Sequence, residues 1–245
     1  MRAFALLVLI AFPGAVFCQE TSETREMVGH LGSRSVLLAL HAIERVDGSW
    51  QMTGEYIVLS TLTRRFLEGE RSPELGVTTL KEGTSAILFG HPATGELRGT
   101  LRAGVFKGTR YGPGGQERER FEFSEEFPTL DSYGASVSCE ANDGRYGSSL
   151  QFSLEAGKLK SGALEWRSKI APSGHQCAVS ADAQQPMKGG LKFAAGRCVV
   201  TLRDLGEQLM ISAQDCTELC ASEAYLEPLL IDRRGQCRLL RPKPR

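Results

Sequence analysis

Long apolar runs and a net charge are both missing from this chain. After the ten-residue run Ala3–Phe12, no stretch approaches the roughly 20 apolar residues that a membrane-spanning helix needs, so no transmembrane anchor is expected. Lys+Arg and Asp+Glu number 29 each, which leaves no global field to draw in nucleic acid or an anionic membrane. The four histidines (His30, His41, His91 and His175) show no H-x-x-x-H spacing, and no C-x-x-C is present. A G-x-S-x-G elbow and a Ser-x-x-Lys pair are likewise missing. Gly112–Gly115 contains a proline and precedes no helical pattern, so it reads as a turn and not as a phosphate cradle. Glu117, Glu119 and Glu122 alternate with Arg118 and Arg120, a pattern of cross-strand ion pairing. The expectation is therefore no catalytic residue, no metal and no cofactor.

Cysteine is absent between Cys18 and Cys139, then occurs six times: Cys139, Cys177, Cys198, Cys216, Cys220 and Cys237. An even set confined to one half reads as a disulfide framework, which persists in an oxidising compartment. The start of the chain agrees. Arg2, the apolar run, the Pro13-Gly14 break and polar sequence from Gln19 have the layout of a secretory signal peptide over residues 1–18. Phe17 before Cys18 argues against lipidation. The expected location is periplasmic or secreted. Six cysteines allow fifteen pairings; Cys139–Cys177 is favoured because each lies at the edge of an early strand of this half.

What the chain has in quantity is glycine, 27 residues, and short apolar runs at short intervals. Leu150, Phe152 and Leu154 alternate with Ser149, Gln151 and Ser153. Leu97, Leu101 and Ala103 alternate with Arg98, Thr100 and Arg102. Such alternation belongs to antiparallel sheet with one wet face. Turns are expected at Asp47-Gly48, at Gly112–Gly115 and at Gly206. Thr61–Leu75 is ambiguous, because Leu62, Phe66 and Leu67 also fit one helical turn. The fold class is all-β, with two antiparallel β domains, each a small barrel or sandwich, the second stapled by disulfides. Their expected extents are 28–127 and 132–245, divided near Glu125–Ser132. Core candidates of the first are Leu38, Leu40, Trp50, Tyr56, Val58, Leu80, Leu88, Leu101, Phe106, Phe121 and Phe123.

The series Gly54-Glu55-Tyr56, Leu67-Glu68-Gly69, Gly95-Glu96-Leu97-Arg98-Gly99 and Val105-Phe106-Lys107-Gly108-Thr109-Arg110 resembles small exported β domains of bacterial envelope proteins. Cys198–Leu202 and Leu209–Ala213 before Cys216 are similar to the β modules of periplasmic lysozyme-inhibitor-like proteins. Ser161-Gly162-Ala163, followed by Trp166 and Lys169, echoes the inhibitory segment of that family, although its tandem tryptophan is absent. The resemblance implies an exported, non-enzymatic binding module. Its partner would be a protein of the cell envelope, such as a lysozyme-type enzyme, with Ser161 and Lys169 as binding residues and Leu164 and Trp166 turned into the core. Lys169 would lie just beyond the strand. The alternatives are a secreted hydrolase with a site between the domains, and an envelope structural or assembly factor.

Overall fold

The computed structural model describes residues 21–85, 92–130, 135–160, 164–171, 173–220 and 224–240. Residues 1–20 with Cys18, and Leu88, His91 and Ser161–Ala163, lie outside them. The architecture is all-β. Strands β1 (Ser22–Leu31), β2 (Arg34–Glu44), β3 (Trp50–Val58), β4 (Thr63–Arg71), β5 (Val77–Gly83), β6 (Gly95–Arg102), β7 (Val105–Tyr111) and β8 (Glu117–Ser124) pair in succession, and β8 pairs back to β1. This closes an up-and-down antiparallel barrel, which removes every sheet edge from this half. Alternate residues fill its interior, among them Leu38, Leu40, Tyr56, Leu80, Phe106 and Phe123, with Trp50 partly buried at one end. Phe106 and Phe121 rings lie 4.7 Å apart, and Phe121 and Phe123 stack at 5.2 Å. The outward positions Lys81, Arg98, Lys107 and Glu122 are exposed and charged, where a lipid-facing barrel carries an apolar band.

Two strands come so close inside the barrel that only glycine fits. Gly99 on β6 lies opposite Gly108 on β7. A Cβ on Gly108 would stand 2.1 Å from the Arg98 carbonyl oxygen and 2.6 Å from the Gly99 Cα. Both contacts are with backbone, which cannot swing aside.

The second half is a sandwich. Its first sheet holds β9 (Ala135–Asn142), β10 (Tyr146–Glu155), β11 (Lys158–Leu159), β12 (Leu164–Ile170) and β13 (Gln176–Ala181). Strand β10 sits between β9 on one side and β12 with the short β11 on the other, and β13 forms the far edge. The second sheet runs β14 (Gln184–Met187), β15 (Gly190–Ala195), β16 (Cys198–Asp204), β17 (Gln208–Gln214), β18 (Leu229–Asp232) and β19 (Cys237–Leu239) in order. Between them lies one core that includes Tyr146, Leu150, Phe152, Trp166, Phe193, Leu202, Ile211 and Ile231.

The disulfides are Cys139–Cys237, Cys177–Cys220 and Cys198–Cys216, so the expected Cys139–Cys177 bridge is not made. The reason is sheet order. Cys139 is on β9 and Cys177 on β13, three strand spacings or about 14 Å apart, beyond the reach of one bridge. Each edge cysteine instead bonds across its own edge, Cys139 to Cys237 on β19 and Cys177 to Cys220, which forms an antiparallel bridge beside it.

Other expectations are refined. In Thr61–Leu75, Phe66 and Leu67 lie in strand β4, so they form no helical turn with Leu62. Ala103 does not face inward; it is exposed in the β6–β7 turn with φ 48°. The turns at Asp47-Gly48, Gly112–Gly115 and Gly206 fall between β2 and β3, β7 and β8, and β16 and β17.

Replacing Gly108 by Ala should lower stability by about 3 kcal/mol, the upper range for overpacking. The control is Gly147→Ala on the outer face of β10, where an added Cβ meets only Asn142 Nδ2 at 3.8 Å. Urea denaturation should separate the two variants clearly. Equal midpoints would contradict the close crossing of β6 and β7.

Candidate functional site

Lys169 lies within β12, not beyond it, directly opposite Gly147 on β10 and Gln176 on β13. The strand pleat decides which residues share its face. Leu164, Trp166 and Ser168 point inward, while Glu165, Arg167 and Lys169 point out. Trp166 is 0% exposed, and its indole Nε1 donates to Ser148 Oγ at 2.8 Å, so the expected inward orientation of Leu164 and Trp166 is met. The outward row on β10 is small, Gly147 and Ser149, and is flanked by Glu140 on β9 and by Arg167 and Lys169 on β12. A groove of about 280 Å³ follows from that contrast in size, adjoined by a hollow of about 190 Å³ toward Gln151 and Glu165. Around the β9 edge a cleft of about 340 Å³ opens between Glu140, Leu239 and Leu62 of the barrel. Arg167 pairs with Glu165 at 3.2 Å on this open surface.

A second feature lies at one end of the barrel. The β2–β3 turn carries Val46, 101% exposed, and the β4–β5 turn carries Leu75, 70% exposed. Both turns are built by short backbone bonds, Gly48 N–H to Arg45 O at 2.9 Å and Gly76 N–H to Ser72 O at 3.0 Å. Asp47 Oδ1 accepts from the Ser49 backbone N–H and hydroxyl, at 2.9 and 2.6 Å, which fixes the first turn and holds the Asp47 carboxyl below its ordinary pKa. The two turns are neighbours, since a Cβ on Gly48 would lie 3.9 Å from Pro73 Cβ. Beneath them Trp50 pairs across the ladder with Arg71, whose guanidinium sits 5.4 Å above the indole.

The opposite end of the barrel holds a buried carboxylate. Glu82 is 0% exposed and accepts two bonds from Arg110, Nε at 2.8 Å and Nη2 at 2.9 Å. Arg110 reaches Glu82 across β6 because Gly95 stands between them; a Cβ there would come within 3.4 Å of both side chains. Thr94 Oγ1 donates at 3.3 Å, the Tyr56 hydroxyl donates as well, and Arg65 Nε lies 3.5 Å away. Arg110 Nη1 continues to Glu119 at 3.3 Å, which also pairs with Arg34. Burial opposes the charge on Glu82. The Arg110 bonds and charge, the Tyr56 hydroxyl and Arg65 outweigh it, so its carboxyl sits below the ordinary range. Burial and the Glu82 charge push the Tyr56 hydroxyl up. This is the geometry of a buried ion-pair network inside that end of the barrel. Sequence reasoning missed it, although Glu82 shares the inward parity of Thr78 and Leu80, and Arg110 that of Phe106 and Gly108. A charge on the apolar parity was the available signal.

Among the described residues no group of three or more His, Cys, Asp or Glu is placed to hold a metal ion. Compared with known proteins, the chain matches no family model, no curated protein and no solved structure.

Glu82→Gln should cost about 3 kcal/mol at neutral pH, the lower end for breaking a buried pair, because Arg110 then keeps only Glu119. The sign with pH follows from the lowered carboxyl. The wild-type advantage is full above the unfolded carboxylate range and is lost as pH falls through the folded pKa. Unfolding free energies of the two proteins should therefore converge toward acid. A constant difference from pH 7 to pH 3 would contradict the charged pair.

Proposed function

We propose that this protein is an exported, non-enzymatic binding module that engages a protein partner of the cell envelope through the turn-lined end of its barrel. The observation that carries this reading is the pair of apolar tips, Val46 and Leu75, on touching turns above the Trp50–Arg71 stack. Single exposed apolar side chains are ordinary on a soluble surface. What marks this pair is its setting on adjoining turns beside a tryptophan and an arginine, residue types in which protein–protein hot spots are enriched. Three disulfides and the leader-like start support export, since such bridges persist in oxidising compartments.

The inhibitor-like resemblance supplies a first partner class to test, a lysozyme-type hydrolase. Lys169 is exposed and is therefore available for that role as well. Titration of wild type against a C-type lysozyme, by calorimetry and by residual activity, is the experiment. The double variant Val46→Asp/Leu75→Asp should bind at least about tenfold more weakly, with unchanged thermal stability, if the barrel end is the contact. Loss of binding in Lys169→Glu alone would move the contact to the open sheet. Absence of binding by wild type would remove lysozyme-type enzymes as partners.

A further inference from the structure

We propose that the open face of the β9–β13 sheet pairs with the same face of a second copy of the chain, about a two-fold axis running along β10. This does not rest on the barrel-end reading, and it uses the other half of the molecule. Among the described residues, no element packs on this face. The barrel packs against the outer side of the β14–β19 sheet, and the inner sides of both sheets share the sandwich core.

The ladder register then places the charges. Glu140 and Arg167 are both cross-strand partners of Ser149, so they stand on opposite sides of β10 at one strand spacing each, about 4.8 Å. Asn142 and Lys169 are likewise both partners of Gly147. A two-fold axis along β10 exchanges left and right at each level. It sets Glu140 of one copy over Arg167 of the other, twice, and Asn142 over Lys169, twice. An in-plane axis across the strands at this level would instead set Glu140 over Glu140 and Arg167 over Arg167. The register therefore selects the axis. Among the described residues Glu140 and Lys169 belong to no ion pair, and Arg167 is held only by Glu165, at 69% and 46% side-chain exposure. Gly147 and Ser149 are small enough that the long flanking side chains can meet between sheets about 10 Å apart. One sheet face is a small interface, so the pairing is reversible and dependent on concentration.

Sedimentation velocity over a concentration series at low salt tests this. Wild type should show a reversible monomer–dimer equilibrium that weakens as added salt screens the two Glu140–Arg167 pairs. Glu140→Arg and Arg167→Glu should each raise the dimer dissociation constant at least about tenfold, because both contacts become like-charged. Both positions are exposed, and circular dichroism verifies that the variants remain folded. An equimolar mixture of the two variants should dimerise again, since both contacts between positions 140 and 167 then join opposite charges. The proposal is overturned by a wild type that stays monomeric throughout, by single variants that dimerise like wild type, or by a mixture that stays monomeric.

Discussion

Met210 on β17 and Leu230 on β18 face away from the sandwich core that their neighbours Leu209, Ile211, Leu229 and Ile231 fill. Something apolar must cover that second face. Here it is the outer wall of the barrel: Val28 and Ile57, with Leu59 from the β3–β4 turn, close over Met210, Leu230, Leu205 and Leu240. Each such side chain contributes about 1.5–3 kcal/mol when fully buried. Polar groups at the rim fix the orientation of the joint. Arg238 donates to the carbonyls of Ser60 and Leu59 and to Gln208, while Arg203 lies 4.9 Å over Phe127 and pairs with Glu26. Arg238 loses solvation in doing so, and its pKa falls.

The surfaces available for binding follow from this joint. With the barrel seated on the β14–β19 sheet, the β9–β13 sheet keeps one wet face, and its small central row becomes a groove. The barrel is closed on itself and offers no edge strand for pairing, so what it can present are its turns. One end holds the Glu82–Arg110 network, in which Glu82 accepts from Arg110, Thr94 and Tyr56. The other end shows Val46 and Leu75 to solvent.

Much of the barrel and half of the sandwich were legible in the sequence, for reasons that individual strands make clear. Strand β10 has one buried and one wet face, so Leu150, Phe152 and Leu154 alternate with polar residues and announce it. Strand β4 was hidden because its inward positions include Arg65 and Gly69, a charge at the network and a glycine at a close crossing, in place of apolar residues. In β17 and β18 the runs Leu209-Met210-Ile211 and Leu229-Leu230-Ile231 read as continuous apolar sequence. That is the signature of burial on two faces, and it was the available clue to the joint. Disulfide pairing was out of reach, because it depends on which strands end up at the sheet edges. The apolar tips were out of reach for a related reason. Val46 and Leu75 look like ordinary loop residues until the barrel brings their turns together.

If the two-sided burial of β17 and β18 holds the molecule together, barrel and sandwich should unfold as one unit. Differential scanning calorimetry of wild type should give a single transition whose calorimetric and van't Hoff enthalpies agree. The double variant Met210→Asp/Leu230→Asp, which places charges on the covered face without touching the sandwich core, should split it into two. Two independent transitions in wild type, or a single unshifted transition in the variant, would contradict the account.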